Sequence, residues 1–483
     1  MPPREVCDRA RRTKDARFDG LFFTAVRSTR IFCRPVCPAP TAKPHNVVYY
    51  PTAAAASNAG FRPCLRCRPE LAPGVRPADE TVRRALDLIT DGFLQDASVE
   101  ALASRVAVSP RHLRRLFMLK LGATPGQVHQ MQRLLLAQQL LTESTLPVTQ
   151  VAFAAGFSSV RRFNGAFLAC GGRPPSAVRR RPLLHSGEGL FLRLAYRPPF
   201  DFDAALLELG RRAIAGIEHV TAVSYERTLS PGTGPRWIRI THASEKPELM
   251  LQAVGVYPNE IQALVRQVRR VFDLDADLQS VIHALAQDDV FVDSLASAPG
   301  LRLVGAWNGF EAAVAEIAGR AGTAELVERY GERAVPTPSG LDRCFPSPEQ
   351  LTVIDREDVR RLASAVATGA IEFSQGQLLE DFIAKCVAST GMPAVVAETI
   401  ALRAMMSPDA FPVTLPLLRE LSQKWRPWRA YALLHLSLTV WVFRPGPRIA
   451  DPIRFTHSSR AETPSTAAGQ SSRTRPPQPG SAD

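Results

Sequence analysis

The chain has 483 residues, 45% of them hydrophobic, which is too long for one compact domain and supplies apolar material for three or four. A net charge of +13 and a sequence pI near 9.8 point to a polyanionic partner. No apolar run of about 18 residues and no charged-then-apolar leader occurs, which argues against a membrane span or signal peptide and predicts a cytoplasmic protein with reduced cysteines.

The charge is uneven. Residues 1–181 hold 28 Lys and Arg against 12 Asp and Glu, whereas the remainder holds 31 against 34. The nucleic-acid bias therefore lies in the first third. Residues 1–76 read as loop-rich, and within them "IFCRPVCPAP" and "GFRPCLRCRPE" place Cys33, Cys37, Cys64 and Cys67 as C-x3-C, 26 residues, then C-x2-C. Four thiolates at that spacing can close a tetrahedral site suited to one Zn2+. Spacing alone leaves open whether such a site is structural or reactive. Cys7, Cys170, Cys344 and Cys386 have no partner pattern and read as structural.

From Glu80 to about Arg181 the pattern is helical. "SVEALASRVAVSPRHLRRLFMLKLGATP" predicts a short helix over 99–106 and a second from Pro110, with Ser109 as its N-cap. Leu113, Leu116 and Phe117 form the buried stripe, and Arg111, His112, Arg114, Arg115 and Lys120 crowd the same helix. About 50 residues later "LPVTQVAFAAGFSSVRRFNGAFLACGGRPP" repeats the pattern, with Gly156 at the turn and Ser159, Arg161, Arg162 and Asn164 on its second helix. Two such units joined by one helix would present to successive major grooves. Arg111, His112, Arg114, Arg115, Ser159, Arg161, Arg162 and Asn164 are the candidate DNA-contacting residues.

"RRRPLLHSGEG" reads as a linker, taken as 182–187. Then "LFLRLAY", "AVSYERTL", "RWIRITHA" and "ELMLQAVGV" alternate as strands, with "DFDAALLELGRRAI" as a helix among them, giving an α+β domain over 188–297. Asp273, Asp275 and Asp277 lack the downstream residues of a calcium loop and read as a solvated helix end. Residues 298–455 are mainly helical, and Trp425, Trp428 and Tyr431, at helical spacing, read as core. The Pro/Ser-rich 456–483 reads as a disordered tail.

Three resemblances follow from these residues. Residues 5–76, through "RFDGLFFTAVRSTRIFCRPVC" and "GFRPCLRCRP", resemble the amino-terminal domain of the Ada family of alkylation-response proteins. That resemblance implies that Cys33 accepts a methyl group from a DNA methylphosphotriester, irreversibly, and that Cys37, Cys64 and Cys67 complete the zinc site. Residues 80–181 resemble the DNA-binding domain of the AraC/XylS class, through the two units, "GFSS" and "GGRPPSAVR". Residues 188–445 resemble AlkA-type 3-methyladenine DNA glycosylases, through "LRLAYRPPFDFDAALLELGRRAIAGIEHV", "GLRLVGAWNGFE" and "WRPWRAYALLHL". The implied fold class is multidomain α+β: a small zinc domain (1–76), an all-α double helix-turn-helix domain (77–181), an α+β AlkA-like N domain (188–297) and an all-α helix-hairpin-helix domain (298–455).

The last resemblance is degenerate. The family's catalytic aspartate falls on Leu415 in "FPVTLPLL", so no glycosylase aspartate is expected at that position. The Gly-rich hairpin is "TGMPAVVA", with Pro393 and Val395 at a glycine and a tryptophan position, and a further pocket tryptophan is Ser437. The guanine-repair motif Pro-Cys-His-Arg found in some Ada-type proteins is absent. The sequence thus predicts a methyl-accepting transcriptional activator of alkylation-repair genes, with double-stranded DNA and RNA polymerase as partners and a glycosylase-like module of little activity. The alternatives are an active glycosylase targeted by its amino-terminal part, and a non-enzymatic regulator with structural zinc.

Overall fold

A computed structural model describes residues 1–73, 79–179, 188–229, 234–243, 245–374 and 376–442. The expected linker 182–187 and tail 456–483 lie outside the described residues.

The amino-terminal region holds more regular structure than its prolines suggest. A helix spans Arg4–Thr13, and four strands, β1 (Phe23–Val26), β2 (Ile31–Cys33), β3 (Val47–Tyr50) and β4 (Arg62–Pro63), form a sheet in the order β3-β1-β2-β4. Alternation along β1 divides its two faces. Phe23 and Ala25, with Phe32 of β2, pack on Ala53, Ala54 and Ala56 of the helix Ala53–Asn58. On the opposite side Phe22, Val47 and Tyr49 pack on Cys7 and Ala10 of the first helix. Burying Phe32 completely between these neighbours ties the strand that ends in Cys33 to the core.

The next region is the expected duplication. Helices Val99–Arg105 and Pro110–Leu121 form one unit, and Val148–Ala154 and Val160–Gly171 the other. Ser109 and Ser159 each cap the second helix of their unit, accepting from the amides of His112 and Arg162. Gly122 and Gly172 close the same helices in the left-handed conformation, with φ of 69° and 64°. The bridging helix Pro125–Glu143 opens with a Thr124/Gln127 capping box. Leu113 and Phe117, and equivalently Phe163 and Phe167, are buried, while Leu116 is partly buried.

Five antiparallel strands follow: β5 (Leu190–Ala195), β6 (Glu218–Val220), β7 (Ser224–Thr228), β8 (Trp237–Ala243) and β9 (Glu248–Val254), in the order β5-β9-β8-β7-β6. The sequence did not announce β6, which has a single pairing edge and a half-exposed face. Ile238, Ile240, Leu249 and Leu251 form the sheet's inner face against the helices Phe202–Arg212 and Ile261–Val271. The helical remainder includes Gly309–Tyr330, kinked at Gly319, together with Glu357–Ala367, Leu379–Thr390, Ala394–Ala404, Pro416–Leu421 and Arg429–Val442.

The aspartate triplet is not a solvated helix end. Asp273 is fully buried, accepting from the Tyr431 hydroxyl, Asp275 pairs with Arg269, and Asp277 caps the helix Leu278–Leu285. The Asp273 partner lies 158 residues away, which local pattern does not reveal. Trp425 and Tyr431 are buried in a core cluster with Phe411 and Phe291, and Trp428 packs against it.

Candidate zinc centre and nucleic-acid interface

The four cysteines converge from two turns. Cys33 ends β2, and the amide of Cys37 donates to the Arg34 carbonyl at 3.2 Å, folding the CRPVC turn back on the strand. The amide of Cys64 donates to the Phe32 carbonyl at 3.0 Å, so the parallel β2–β4 pairing brings the second turn alongside. The four sulfurs all lie within 4.8 Å of one another. Tetrahedral zinc with Zn–S near 2.3 Å needs sulfurs about 3.8 Å apart, which this cluster fits. Backbone amides point at the ligands: Arg34 donates to Cys67 Sγ at 3.3 Å and Arg66 to Cys64 Sγ at 3.4 Å. Among the described residues no other group of His, Cys, Asp and Glu is arranged to hold a metal.

Without a cation the sulfurs must share protons. Hydrogen bonding from Cys33 brings Cys37 down to about 7 and pushes Cys64 lower still. Hydrogen bonding to Cys37 pushes Cys33 up, and hydrogen bonding to Cys33 does the same for Cys67. A divalent cation replaces those shared protons and leaves four thiolates. These cysteines therefore form a site for one zinc ion. Cys64 and Cys67 are 8% and 6% exposed, whereas Cys33 and Cys37 are half-buried, so the open side of the site carries the CRPVC pair.

Behind the site sits a residue whose role the sequence concealed. Arg34 is buried, donates from Nε to both Asp19 carboxylate oxygens at 3.0 Å and from Nη1 to the Cys67 carbonyl at 3.2 Å. It braces both turns while its own amide serves a ligand sulfur. In an arginine-rich chain nothing local marks Arg34 out; the buried Asp19 partner, 15 residues earlier, is the signal.

The second helices of the two units, Pro110–Leu121 and Val160–Gly171, are open to solvent on their basic faces. Arg111, Arg114, Arg115, Arg161, Arg162 and Asn164 are exposed, and His112 is half-buried. Arg114 pairs with Glu100 at 2.7 Å across its unit, and Arg115 contacts His112 at 3.3 Å. Ser159 does not ride on the second helix; it caps it. Met118 and Leu168, nine residues beyond each cap, are also exposed, which polar-residue reasoning passed over.

In the glycosylase-like region the carboxylates of Asp409 and Glu398 are engaged, and Leu415 offers none. Leu415 is 64% exposed at the start of the helix Pro416–Leu421. Asp409 is held by Arg429 at 2.7 Å and by Arg426 at 3.3 Å, and Glu398 is buried against Arg419 and the Phe411 amide. The hairpin between Leu379–Thr390 and Ala394–Ala404 has few free amides. Gly391 donates to Val387, Met392 donates to the Thr390 hydroxyl at 3.2 Å, and Pro393 has no N–H. Ser437 is exposed and donates to the Leu434 carbonyl.

A cysteine zinc site, a double helix-turn-helix and a glycosylase-type fold in one chain define a DNA-binding repair and regulatory protein. Residues 6–70 match the metal binding domain of Ada, 102–181 a helix-turn-helix domain, and 191–308 the AlkA N-terminal domain. The chain is 34% identical over 479 residues to a probable bifunctional transcriptional activator/DNA repair enzyme AlkA of Mycobacterium tuberculosis, covering 90% of this chain and 96% of that one. It belongs to the family of bifunctional transcriptional activator/DNA repair enzymes. It is also similar to the bifunctional transcriptional activator/DNA repair enzyme Ada of Escherichia coli, at 35% over 42% of this chain and 53% of that one. To the DNA-3-methyladenine glycosylase 2 of Escherichia coli it is 27% identical, over 51% of this chain and 96% of that one. No helix among the described residues is long and apolar enough to cross a membrane.

Proposed function

We propose that Cys33 is a single-turnover acceptor of the methyl group of DNA methylphosphotriesters. Zinc supplies the chemistry of keeping the cysteines as thiolates at neutral pH. The Cys33 sulfur attacks the methyl carbon, the carbon–oxygen bond breaks, and the phosphodiester leaves as an anion, so no general base is required. The product thioether is irreversible. The observation that carries this reading is that Cys33 ends a strand on the open side of the cluster, while Cys64 and Cys67 are buried. Cys37 shares that half-buried state, so the choice of Cys33 rests on the resemblance.

Four thiolates on zinc carry a formal charge of about −2, and one methylation leaves about −1, which weakens repulsion from DNA phosphates. The methylated protein then activates alkylation-repair genes, holding DNA through Arg111, His112, Arg114, Arg115, Arg161, Arg162 and Asn164 and engaging RNA polymerase. Ser159 orders the second recognition helix. The division of labour is 1–76 for methyl acceptance, 77–181 for DNA reading, and 188–297 with 298–455 for a glycosylase-like module that excises little or nothing. Intact-protein mass after incubation with methylphosphotriester DNA, followed by peptide mapping, tests this. One methyl on the peptide containing Cys33 is expected; zinc-loaded protein without it overturns the reading.

A further inference from the structure

The glycosylase-like module reaches the zinc site through two parallel chains of contacts. Each begins at an arginine directly following a zinc ligand. Arg34 follows Cys33 and pairs with Asp19; Arg197, just beyond β5, donates from Nη1 to the Asp19 carbonyl at 3.3 Å. Arg68 follows Cys67 and pairs with Glu143 at 2.8 Å; Arg193, within β5, donates to the same Glu143 oxygen at 2.7 Å.

Both chains are built for permanence. Asp19, Arg34 and Arg197 are buried, and the Glu143 side chain is 7% exposed. Arg197 is held from its own side by the carbonyls of Asp275 and Ala276, and Glu143 also accepts from Gln139 and from the Arg193 amide. Gly20 shows how closely the parts meet: at φ 77°, a Cβ there would stand 2.1 Å from the Pro73 carbonyl oxygen and 3.3 Å from Arg197. Glu143 ends the bridging helix, so the second chain also fixes the zinc domain to the DNA-reading domain.

We propose that the glycosylase-like module acts as an intramolecular clamp: Arg193 and Arg197 hold the zinc-flanking Arg68 and Arg34 through Glu143 and Asp19, and the clamp transmits the charge of the zinc site. The transmission rests on methyl acceptance by Cys33; the clamp itself does not. Arg34 and Arg68 are the chain neighbours of Cys33 and Cys67, and the Arg34 amide donates to the Cys67 sulfur, so loss of one negative charge changes what holds them. Asp19, through its carboxylate on Arg34 and its backbone carbonyl on Arg197, and Glu143, through its carboxylate, pass that change to β5 and the residues just beyond it. This assigns a non-catalytic function to a module whose catalytic aspartate position is Leu415.

The test uses full-length, zinc-loaded protein and hydrogen exchange followed by mass spectrometry, comparing wild type with the double variant R193A/R197A. Release of the clamp is expected to speed exchange about fivefold or more in residues 30–37 and 62–71, with zinc content unchanged. Unchanged exchange there overturns the clamp. If R197A does not fold, R193A alone, at a half-buried side chain, is read in the same way over 62–71. The second arm treats both proteins with methylphosphotriester duplex DNA and verifies one added methyl by mass. In wild type, exchange over 190–197 then changes; in the double variant the zinc domain takes the methyl and 190–197 does not respond. A response in both proteins, or in neither once methylated, overturns transmission. Absence of the methyl in wild type refutes methyl acceptance and leaves the first arm standing.

Discussion

Thr24 and Cys33 face each other across the β1–β2 pair, and the buried Thr24 hydroxyl has no hydrogen-bond partner. Directly paired residues bring their Cβ atoms within about 4.5–5.5 Å on one face of the sheet. A buried hydroxyl left unsatisfied costs about 1–3 kcal/mol, and valine keeps its shape. T24V is therefore expected to stabilise the zinc-loaded protein by about 1 kcal/mol in urea unfolding and to keep methyl uptake. A loss of stability would mean that the Cys33 sulfur accepts from the hydroxyl.

Asp19 pairs with the Arg34 guanidinium, and both side chains are buried. D19N would leave a buried cation unpaired, a change that costs about 3–5 kcal/mol. Chemical unfolding should record that loss, and zinc titration should show weaker binding, because the guanidinium also braces the Cys67 carbonyl.

Leu65, between two zinc ligands, packs against the core of the second helix-turn-helix unit with Phe157 and Phe163. Chelation of the zinc is expected to loosen residues 148–171 as well as 31–67. Hydrogen exchange before and after chelation measures this; protection of 148–171 that survives metal loss would show the two to be independent.

Burial brings the imidazoles of His129 and His435 down to about 4. In the unfolded chain they return to about 6.5, so between these values the unfolded state binds more protons. Stability contributed by the neutral rings is complete above about 6.5 and is lost as pH falls towards about 4, by up to about 3 kcal/mol per ring. Comparing H129L with wild type across that window isolates one ring, and the variant's stability should fall less steeply.

L415D is expected to release no 3-methyladenine from methylated DNA. Restoring a carboxylate at an exposed helix start leaves the hairpin amides of Gly391 and Met392 committed and Pro393 without one. Chromatography of released bases decides it: excision by L415D would locate the whole defect at one side chain.

Spacing made the zinc cysteines legible, because metal geometry constrains sequence directly. The Ser109–Pro110 start and the 50-residue repeat were legible for a similar reason: capping and helix periodicity are local. The contacts that join domains were not. Arg34, Arg68, Arg193 and Arg197 look like any other arginine in this composition, and their partners lie 15 to 178 positions away. Asp273 misled in the same way, since the hydroxyl that donates to its carboxylate belongs to Tyr431, 158 residues later. Pro393, which has no N–H, was visible in the hairpin sequence, whereas the capture of the Met392 amide by the Thr390 hydroxyl depends on the fold.

The duplicated units are unequal at matching positions. Counting from the caps Ser109 and Ser159, arginine faces arginine at the second place, but Arg114 answers to Asn164 and Arg115 to Gly165. Since both units ride on one chain and one bridging helix, a single copy lies on DNA with a direction. The site bound by a single copy is therefore expected not to be palindromic, and inverting that site in a promoter is expected to turn the zinc domain and the glycosylase-like module to face the opposite way along the duplex.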